Sequence, residues 1–138
     1  MPRKIALVGS RSLEGYTGVY SMIDHIITLE LERSGSFTLV NGGEDGVDSM
    51  AGEIASSRGL DYEVVPLKEC RSGCVPGKNY CFEHSYKPRS REIASQAEKI
   101  YRVYDEGCGV STCEVTARFG EELGKSVERL SVDLTILH

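Results

Sequence analysis

Two turns rich in glycine and polar residues carry side chains of this sequence that are suited to holding an anion. The first, Gly9-Ser10-Arg11, offers backbone N–H groups, a hydroxyl and a guanidinium to a phosphate. The second, Gly42-Gly43-Glu44-Asp45-Gly46-Val47-Asp48, has three glycines that let the backbone approach an anion. An ordinary turn is the alternative for the first, and a tight turn with Asp45 as helix cap is the alternative for the second. Neither contains the standard dinucleotide fingerprint or phosphate-binding loop.

A third turn places a carboxylate beside the start of a helix. It runs from Gly107 to Glu114 and includes Gly109, Ser111 and Thr112. Ser111 and Glu114 have the spacing of a capping box, in which each side chain bonds a free backbone N–H of the first helical turn. The same position would let Glu114 act as a nucleophile or general base on a glycosidic carbon.

Two arginines, Arg89 and Arg91, follow Pro88 at the predicted start of another helix. Positive charge is mildly unfavourable at a helix N-terminus unless an anion joins it. We therefore expect at least one of these arginines to contact a ligand phosphate, and solvated side chains are the alternative.

A cysteine-rich segment supplies a possible metal site. The pattern Cys70-x3-Cys74-x6-Cys81-x2-His84 provides four ligands within 15 residues, the number that a closed tetrahedral zinc site requires. A zinc ion would order a segment that has little apolar content. A disulfide, free thiols and an exposed loop with His84 facing the ligand remain alternatives. Cys108 and Cys113 are packed thiols, a disulfide or contributors to the same metal, and the sequence does not decide between these.

Alternating strand and helix patterns must position these turns. Short apolar runs predict strands at 5–8, 37–40, 62–65, 100–104 and 127–130, and helical spacing predicts helices near 19–31, 47–55, 89–97 and 112–123. This order predicts an α/β, Rossmann-like, doubly wound and mostly parallel five-stranded sheet with helices on both faces. The segment from Val132 to Ile136 alternates like an edge strand. Ligands bind such sheets outside the carboxyl ends of the strands, where all three turns fall.

Length and composition favour a single domain over residues 1–138, with the cysteine-rich insert at about 68–88. The net charge of −5 makes nucleic-acid binding improbable, because that binding depends on clustered positive charge. The apolar run after the first four residues is too short for a signal peptide or a membrane span, so we expect a cytoplasmic protein. No organic cofactor is expected.

These motifs together resemble a family. Val8-Gly9-Ser10-Arg11, the Gly42 to Asp48 turn, Pro88-Arg89-Ser90-Arg91-Glu92 and Gly109-x-Ser111-Thr112-x-Glu114 look like the SLOG superfamily. That superfamily joins DNA-processing protein A and the cytokinin-activating phosphoribohydrolases, and this sequence is most similar to its small stand-alone members. The resemblance covers nearly the whole chain apart from the insert and the tail.

The resemblance implies a domain that binds a nucleotide or nucleotide-derived ligand. In the phosphoribohydrolase branch, an arginine and a glutamate cleave the base from a ribose 5'-monophosphate, and Arg89 or Arg91 together with Glu114 match them. Asp105-Glu106-Gly107 stands where that branch has Pro-Gly-Gly. The resemblance thus implies either an N-glycosidic hydrolase or a non-catalytic nucleotide sensor, and it also implies a homodimer.

Overall fold

The computed structural model describes residues 3–70, 74, 76–108 and 111–134 of the chain. Within these residues, five strands alternate with four α-helices. The strands are β1 (Lys4–Gly9), β2 (Thr38–Asn41), β3 (Asp61–Val64), β4 (Lys99–Asp105) and β5 (Ser126–Val132). The helices are α1 (Thr17–Ser34), α2 (Val47–Ser57), α3 (Lys87–Gln96) and α4 (Thr112–Glu122).

The five strands run parallel in one sheet, in the order β3-β2-β1-β4-β5. Lys4 of β1 lies opposite Thr38 of β2, and Ile5 lies opposite Lys99 of β4. The chain builds β2 and β3 on one side of β1 and then places β4 and β5 on the other, so the winding reverses between β1 and β4. The predicted Rossmann-like, doubly wound sheet is confirmed.

Helices cover both faces of the sheet. Ile5 and Leu7 of β1 belong to a core that contains residues of α1 and α2. Ala6 and Val8 belong to a second core with residues of α3 and α4. Successive side chains of a strand point to opposite faces, so a central strand covered on both faces is apolar throughout. This explains why β1 is visible in the sequence as a continuous apolar run.

The edges and the insert differ in detail from the sequence predictions. The alternating segment predicted from Val132 begins inside β5, because Val132 is the last residue of that strand. Residues 135–138 lie outside the described part of the chain. In the insert, Phe82–Tyr86 forms a π-helical turn that runs directly into α3. None of the described helices is long and apolar enough to cross a membrane.

Candidate functional site

A narrow crevice lies where the winding of the sheet reverses, between the carboxyl end of β1 and the starts of α2, α3 and α4. A cavity of about 30 Å³ is left in it, which is room for one or two water molecules. Its walls are formed by Val8, Gly9, Arg11, Gly42, Glu44, Asp48, Arg89, Ser90, Ile93, Thr112, Cys113 and Thr116. Six of the residues predicted for a ligand site, Gly9, Arg11, Gly42, Asp48, Arg89 and Thr112, thus line one crevice.

Glu44 joins two arginines at this crevice. Arg89 Nη2 lies 2.7 Å from Glu44 Oε1, and Arg11 Nη2 lies 2.5 Å from Glu44 Oε2. Arg89 is buried, with 5% of its side chain exposed, whereas 61% of the Arg11 side chain is exposed. Arg89 Nη1 donates to the Gly42 carbonyl oxygen, and Arg89 Nε is buried without a hydrogen-bond partner among the described residues. A carboxylate therefore occupies the point where two guanidinium groups converge.

The Asp48 side chain is hydrogen-bonded to backbone N–H groups that the sequence suggests are available to a ligand. Its carboxylate accepts hydrogen bonds from the backbone N–H of Gly9 at 3.2 Å, Gly42 at 3.0 Å and Glu44 at 3.4 Å. Burial raises the pKa of Asp48 to about 7, although the three hydrogen bonds and the nearby Arg89 charge act in the opposite direction. The predicted interaction of these amides with a phosphate is thus replaced in this structure by an internal carboxylate.

Two glycines of the second turn are required by their surroundings. A Cβ added to Gly42 would lie 2.8 Å from Arg89 Cζ, so the absence of a side chain makes room for the guanidinium. Gly46 precedes α2 with a φ of +92°, which L-residues with a side chain rarely adopt. Because Gly46 is the residue before the helix and has no side chain, the Asp45 cap considered for this turn is not formed.

Other predicted ligand residues border the crevice without lining it. Ser10 Oγ accepts a hydrogen bond from the Asp105 backbone N–H at 3.1 Å, which ties the ends of β1 and β4 together. The Gly43 N–H donates to Asn41 Oδ1 at 2.9 Å. Gly109 lies outside the described residues.

Of the two candidate arginines, Arg89 lines the crevice. Arg91 is exposed, and its guanidinium carbon lies 5.0 Å from the centre of the Phe119 ring. One turn of a helix contains 3.6 residues, so side chains two positions apart point in very different directions. The two arginines therefore offer a natural comparison between a crevice residue and a surface residue.

Glu114 lies in a cluster of charged side chains, and the crevice walls do not include it. Its carboxylate oxygens are 2.8 Å from Arg129 Nε, 3.1 Å from Arg102 Nη1 and 3.1 Å from Arg118 Nε. Hydrogen bonding from Arg129, together with the charges of Arg129 and Arg102, lowers the pKa of Glu114 although partial burial opposes the shift. A carboxylate held in this way is a weak base.

The predicted capping box is not formed. Ser111 precedes α4, but its side chain makes no capping hydrogen bond, and its Oγ instead lies 2.9 Å from Cys113 Sγ. Arg102 Nε also donates to Cys113 Sγ, at 3.0 Å. The start of α4 is thus organised around a buried sulfur atom and a buried arginine.

A wider groove of about 500 Å³ adjoins the crevice on the side of β3. Arg89 lines both, so the two spaces meet at its side chain. The groove is also lined by Glu63, Val64, Val65, Pro66, Lys68, Ser85, Pro88, Glu92 and Gln96. Its size falls within the range of small-molecule sites in proteins.

The four predicted metal ligands come together in the insert. One ligand atom from each of Cys70, Cys74, Cys81 and His84 lies within 4.8 Å of all the others. His84 Nδ1 is 3.2 Å from Cys74 Sγ and 3.3 Å from Cys81 Sγ. Desolvation and hydrogen bonds with the neighbouring thiols raise the pKa of Cys74 to about 11.

This donor set fits zinc. Zinc–ligand bonds of about 2.0–2.3 Å place tetrahedral ligand atoms about 3.5–3.8 Å apart, which lies between the shortest contact of His84, 3.2 Å, and the 4.8 Å that bounds the cluster. The three cysteines are free thiols in the structure, and Cys113 is not part of the cluster. The side chain of Cys108 lies outside the described part of the chain.

Solved structures share this architecture. DNA processing protein A from Streptococcus pneumoniae matches with a TM-score of 0.68 and 19% identity over 92% of this chain and 50% of its own. The structural genomics target TM1055 matches with a TM-score of 0.64 and 14% identity over 91% of this chain and 72% of its own. A molybdenum cofactor binding protein from Rippkaea orientalis matches with a TM-score of 0.64 and 16% identity over 98% of this chain and 80% of its own. The chain has the SLOG-type fold.

At these identities the SLOG-type likeness concerns the fold, and the chain spans half the length of DNA processing protein A. No protein-family model matches the sequence, and no curated protein matches it significantly. Function must therefore be argued from the residues that this chain places on the SLOG-type fold.

Sequence reasoning did not identify Glu44 or Ser90 as parts of the site, whereas Cys113 was expected beside it as a packed thiol, a disulfide partner or a metal ligand. Glu44 stands in the second glycine-rich turn, where its charge could have been paired with the predicted arginines. Cys113 follows Thr112 at the start of α4. No spacing in the sequence indicates that Cys113 contacts Arg102, because Arg102 lies on the separate strand β4.

Proposed function

We propose that this protein binds a nucleotide or a related phosphorylated ligand, with the phosphate held between Arg11 and Arg89. The observation that carries the proposal is the convergence of two guanidinium groups on the Glu44 carboxylate. Guanidinium groups bind carboxylates and phosphates through the same parallel N–H donors. The Glu44 carboxylate therefore holds the place that a ligand phosphate takes when it binds.

The start of α4 adds to the attraction for an anion. Thr112 and Cys113 lie in its first turn and line the crevice. The partial positive charge of a helix N-terminus stabilises a nearby anion. The cavity of about 30 Å³ is too small for a phosphate, so the ligand must displace the Glu44 side chain.

The adjoining groove provides space for the rest of the ligand. It meets the crevice at Arg89, so a phosphate bound there would direct its nucleoside toward the groove. Pro66 and Pro88 supply apolar surface, while Glu92 supplies a hydrogen-bond acceptor. The SLOG-type neighbour from R. orientalis is named for binding a cofactor, which supports a small-molecule role for this fold.

Binding without turnover is the function that the geometry supports best. Hydrolysis of the N-glycosidic bond of a nucleoside 5'-monophosphate is the second candidate, and the position of Glu114 within its motif favours it. Glu114 would first have to leave Arg102, Arg118 and Arg129, which hold it ionised. A nucleotide sensor or interaction module needs no such change.

Thermal shift measurements with nucleoside 5'-monophosphates, the matching nucleosides and inorganic phosphate test the proposal. We expect stabilisation that requires the phosphate. Arg89→Lys should weaken binding about ten- to a hundredfold because lysine cannot form the guanidinium fork. Arg91→Lys is the matched control and should bind like the wild type. Equal effects of the two substitutions, or stabilisation by nucleosides alone, would contradict the proposed phosphate site.

Chromatography of the same mixtures decides between the two candidates. Release of free base that disappears in Glu114→Gln would establish hydrolysis. Binding without release, in protein that shows a phosphate-dependent thermal shift, would establish the sensor. An unchanged rate in Glu114→Gln would remove this glutamate from any mechanism.

We also propose that Cys70, Cys74, Cys81 and His84 bind a structural zinc ion. Support comes from the four converging ligand atoms, and a zinc ion would order a segment that has little apolar content. Elemental analysis should find one zinc ion per chain in the wild type and in Cys113→Ser, but none in His84→Ala. Equal zinc content in all three proteins would show that the metal is bound elsewhere.

The homodimer and the cytoplasmic location remain proposals that rest on resemblance and on the sequence. Sedimentation equilibrium of the zinc-loaded chain measures the oligomeric state directly. A mass of twice 15.2 kDa is the expected result, and a monomer at all accessible concentrations would contradict it.

A further inference from the structure

We propose that Cys113 is a site of oxidation by small hydroperoxides. Cys113 lies in the first turn of α4 and lines the crevice. Arg102 Nε donates to Sγ at 3.0 Å, and Ser111 Oγ lies 2.9 Å away. A helix N-terminus and an adjacent guanidinium both stabilise negative charge on sulfur.

A guanidinium lies directly against the Cys113 sulfur. Arg102 donates to Sγ through Nε and is paired through Nη1 with the Glu114 carboxylate at 3.1 Å. Arg102 is buried, with 5% of its side chain exposed, and it is stacked 3.9 Å from the centre of the Tyr104 ring. The Nε–Sγ contact therefore holds a buried positive charge beside the sulfur, where it stabilises negative charge that develops during attack.

The crevice offers both a space and a donor for a peroxide. The cavity of about 30 Å³ that Cys113 lines matches a molecule little larger than water. Arg89 also lines the crevice with its side chain 95% buried, and its Nε has no partner among the described residues. A Cβ on Gly42, another wall residue, would lie 3.0 Å from this Nε, which places the free donor at the crevice.

The reaction follows from these positions. The Cys113 thiolate attacks one oxygen of hydrogen peroxide, an S–O bond forms and the O–O bond breaks. Sulfur is oxidised to the sulfenic acid, and the second oxygen leaves as hydroxide, which takes a proton to become water. A positively charged donor stabilises the charge that develops on the leaving oxygen, which is the role available to Arg89.

Trapping of the sulfenic acid tests the inference. Zinc-loaded protein is treated at neutral pH with limiting hydrogen peroxide for set times, the peroxide is removed, and the chain is then unfolded in urea with dimedone, so that labelling at each time is measured by mass spectrometry. Fragment ions must distinguish Cys113 from Cys108, because both lie on the tryptic peptide 103–118. Because Arg102 Nε and the start of α4 stabilise negative charge on the attacking sulfur, native Cys113 should be oxidised about tenfold faster than Cys113 in the urea-unfolded chain.

Two arginine variants separate reactivity from mere accessibility. Arg102→Lys should lower the labelling rate toward that of the unfolded chain, whereas Arg118→Lys, which contacts Glu114 but not Cys113, should leave it unchanged. If Arg102→Lys fails to fold, the ratio of native to unfolded rates in the wild type decides the question alone. Native labelling that is no faster than unfolded labelling would overturn the inference, whether or not a nucleotide binds.

Discussion

Removing the Glu44 charge should tighten ligand binding while it weakens the unliganded fold. Glu44→Gln keeps the shape of the side chain but turns its ion pairs with Arg11 and Arg89 into neutral hydrogen bonds. The pair with Arg11 is exposed and contributes little, whereas the pair with buried Arg89 is worth about 1–2 kcal/mol. A ligand phosphate that no longer has to break this pair should bind about five- to thirtyfold more tightly.

The same substitution leaves the Arg89 charge without an ionic partner in the unliganded protein. We expect the free energy of unfolding to fall by about 1–3 kcal/mol, because a buried charge has lost its counterion. Calorimetric titration with AMP, and with inorganic phosphate as the smallest anion, measures affinity, and urea unfolding measures stability. Glu53→Gln is the matched control, since it removes the same charge from an exposed position on α2. If Glu44→Gln binds these anions no more tightly than Glu53→Gln does, the carboxylate does not occupy an anion site.

Two further predictions concern Asp48 and the metal. Because the pKa of Asp48 rises from 3.8 to about 7 on folding, the folded state holds its proton more strongly, and stability should fall as pH rises between these values by at most about 4 kcal/mol. Urea unfolding between about pH 5 and pH 7.5 should show that the free energy of unfolding falls with pH in the wild type but not in Asp48→Asn. An equal pH dependence of the two proteins would contradict the raised pKa of Asp48. Removing zinc with a chelator should lower the melting temperature of the wild type but not of His84→Ala, and equal shifts would show that the cluster is not the source.

The fold could be predicted from the sequence because burial of the central strands and helices leaves a recognisable pattern of apolar residues. Ile5 to Val8 is apolar throughout since helices cover both sides of β1, and glycines mark the ends of α1 and α4. The convergence of Cys70, Cys74, Cys81 and His84 could also be predicted, since these residues lie within 15 positions of the chain.

The details of the crevice could not be predicted, because they depend on side chains from distant parts of the chain. Glu44 and Arg89 are 45 residues apart, and no local spacing indicates that they meet. Glu114 has the right spacing for a cap, but three arginines compete for its carboxylate more strongly than a backbone N–H does. Asp48 likewise accepts a hydrogen bond from the Gly42 backbone N–H, which the glycine-rich turn alone would suggest is available to a ligand.

The insert and the crevice are mechanically connected. The turn Phe82–Tyr86 contains the proposed metal ligand His84 and continues without a break into α3, which carries Arg89 five residues later. Ser85 lies between them: its Oγ accepts from the Cys81 backbone N–H at 3.3 Å, and its side chain lines the groove that Arg89 shares. A helix that starts from a fixed metal site has little freedom to rotate, so a zinc ion would hold Arg89 at the angle that faces Gly42 and Glu44. A zinc ion bound in the insert would therefore fix the position of the arginine on which the proposed anion binding depends.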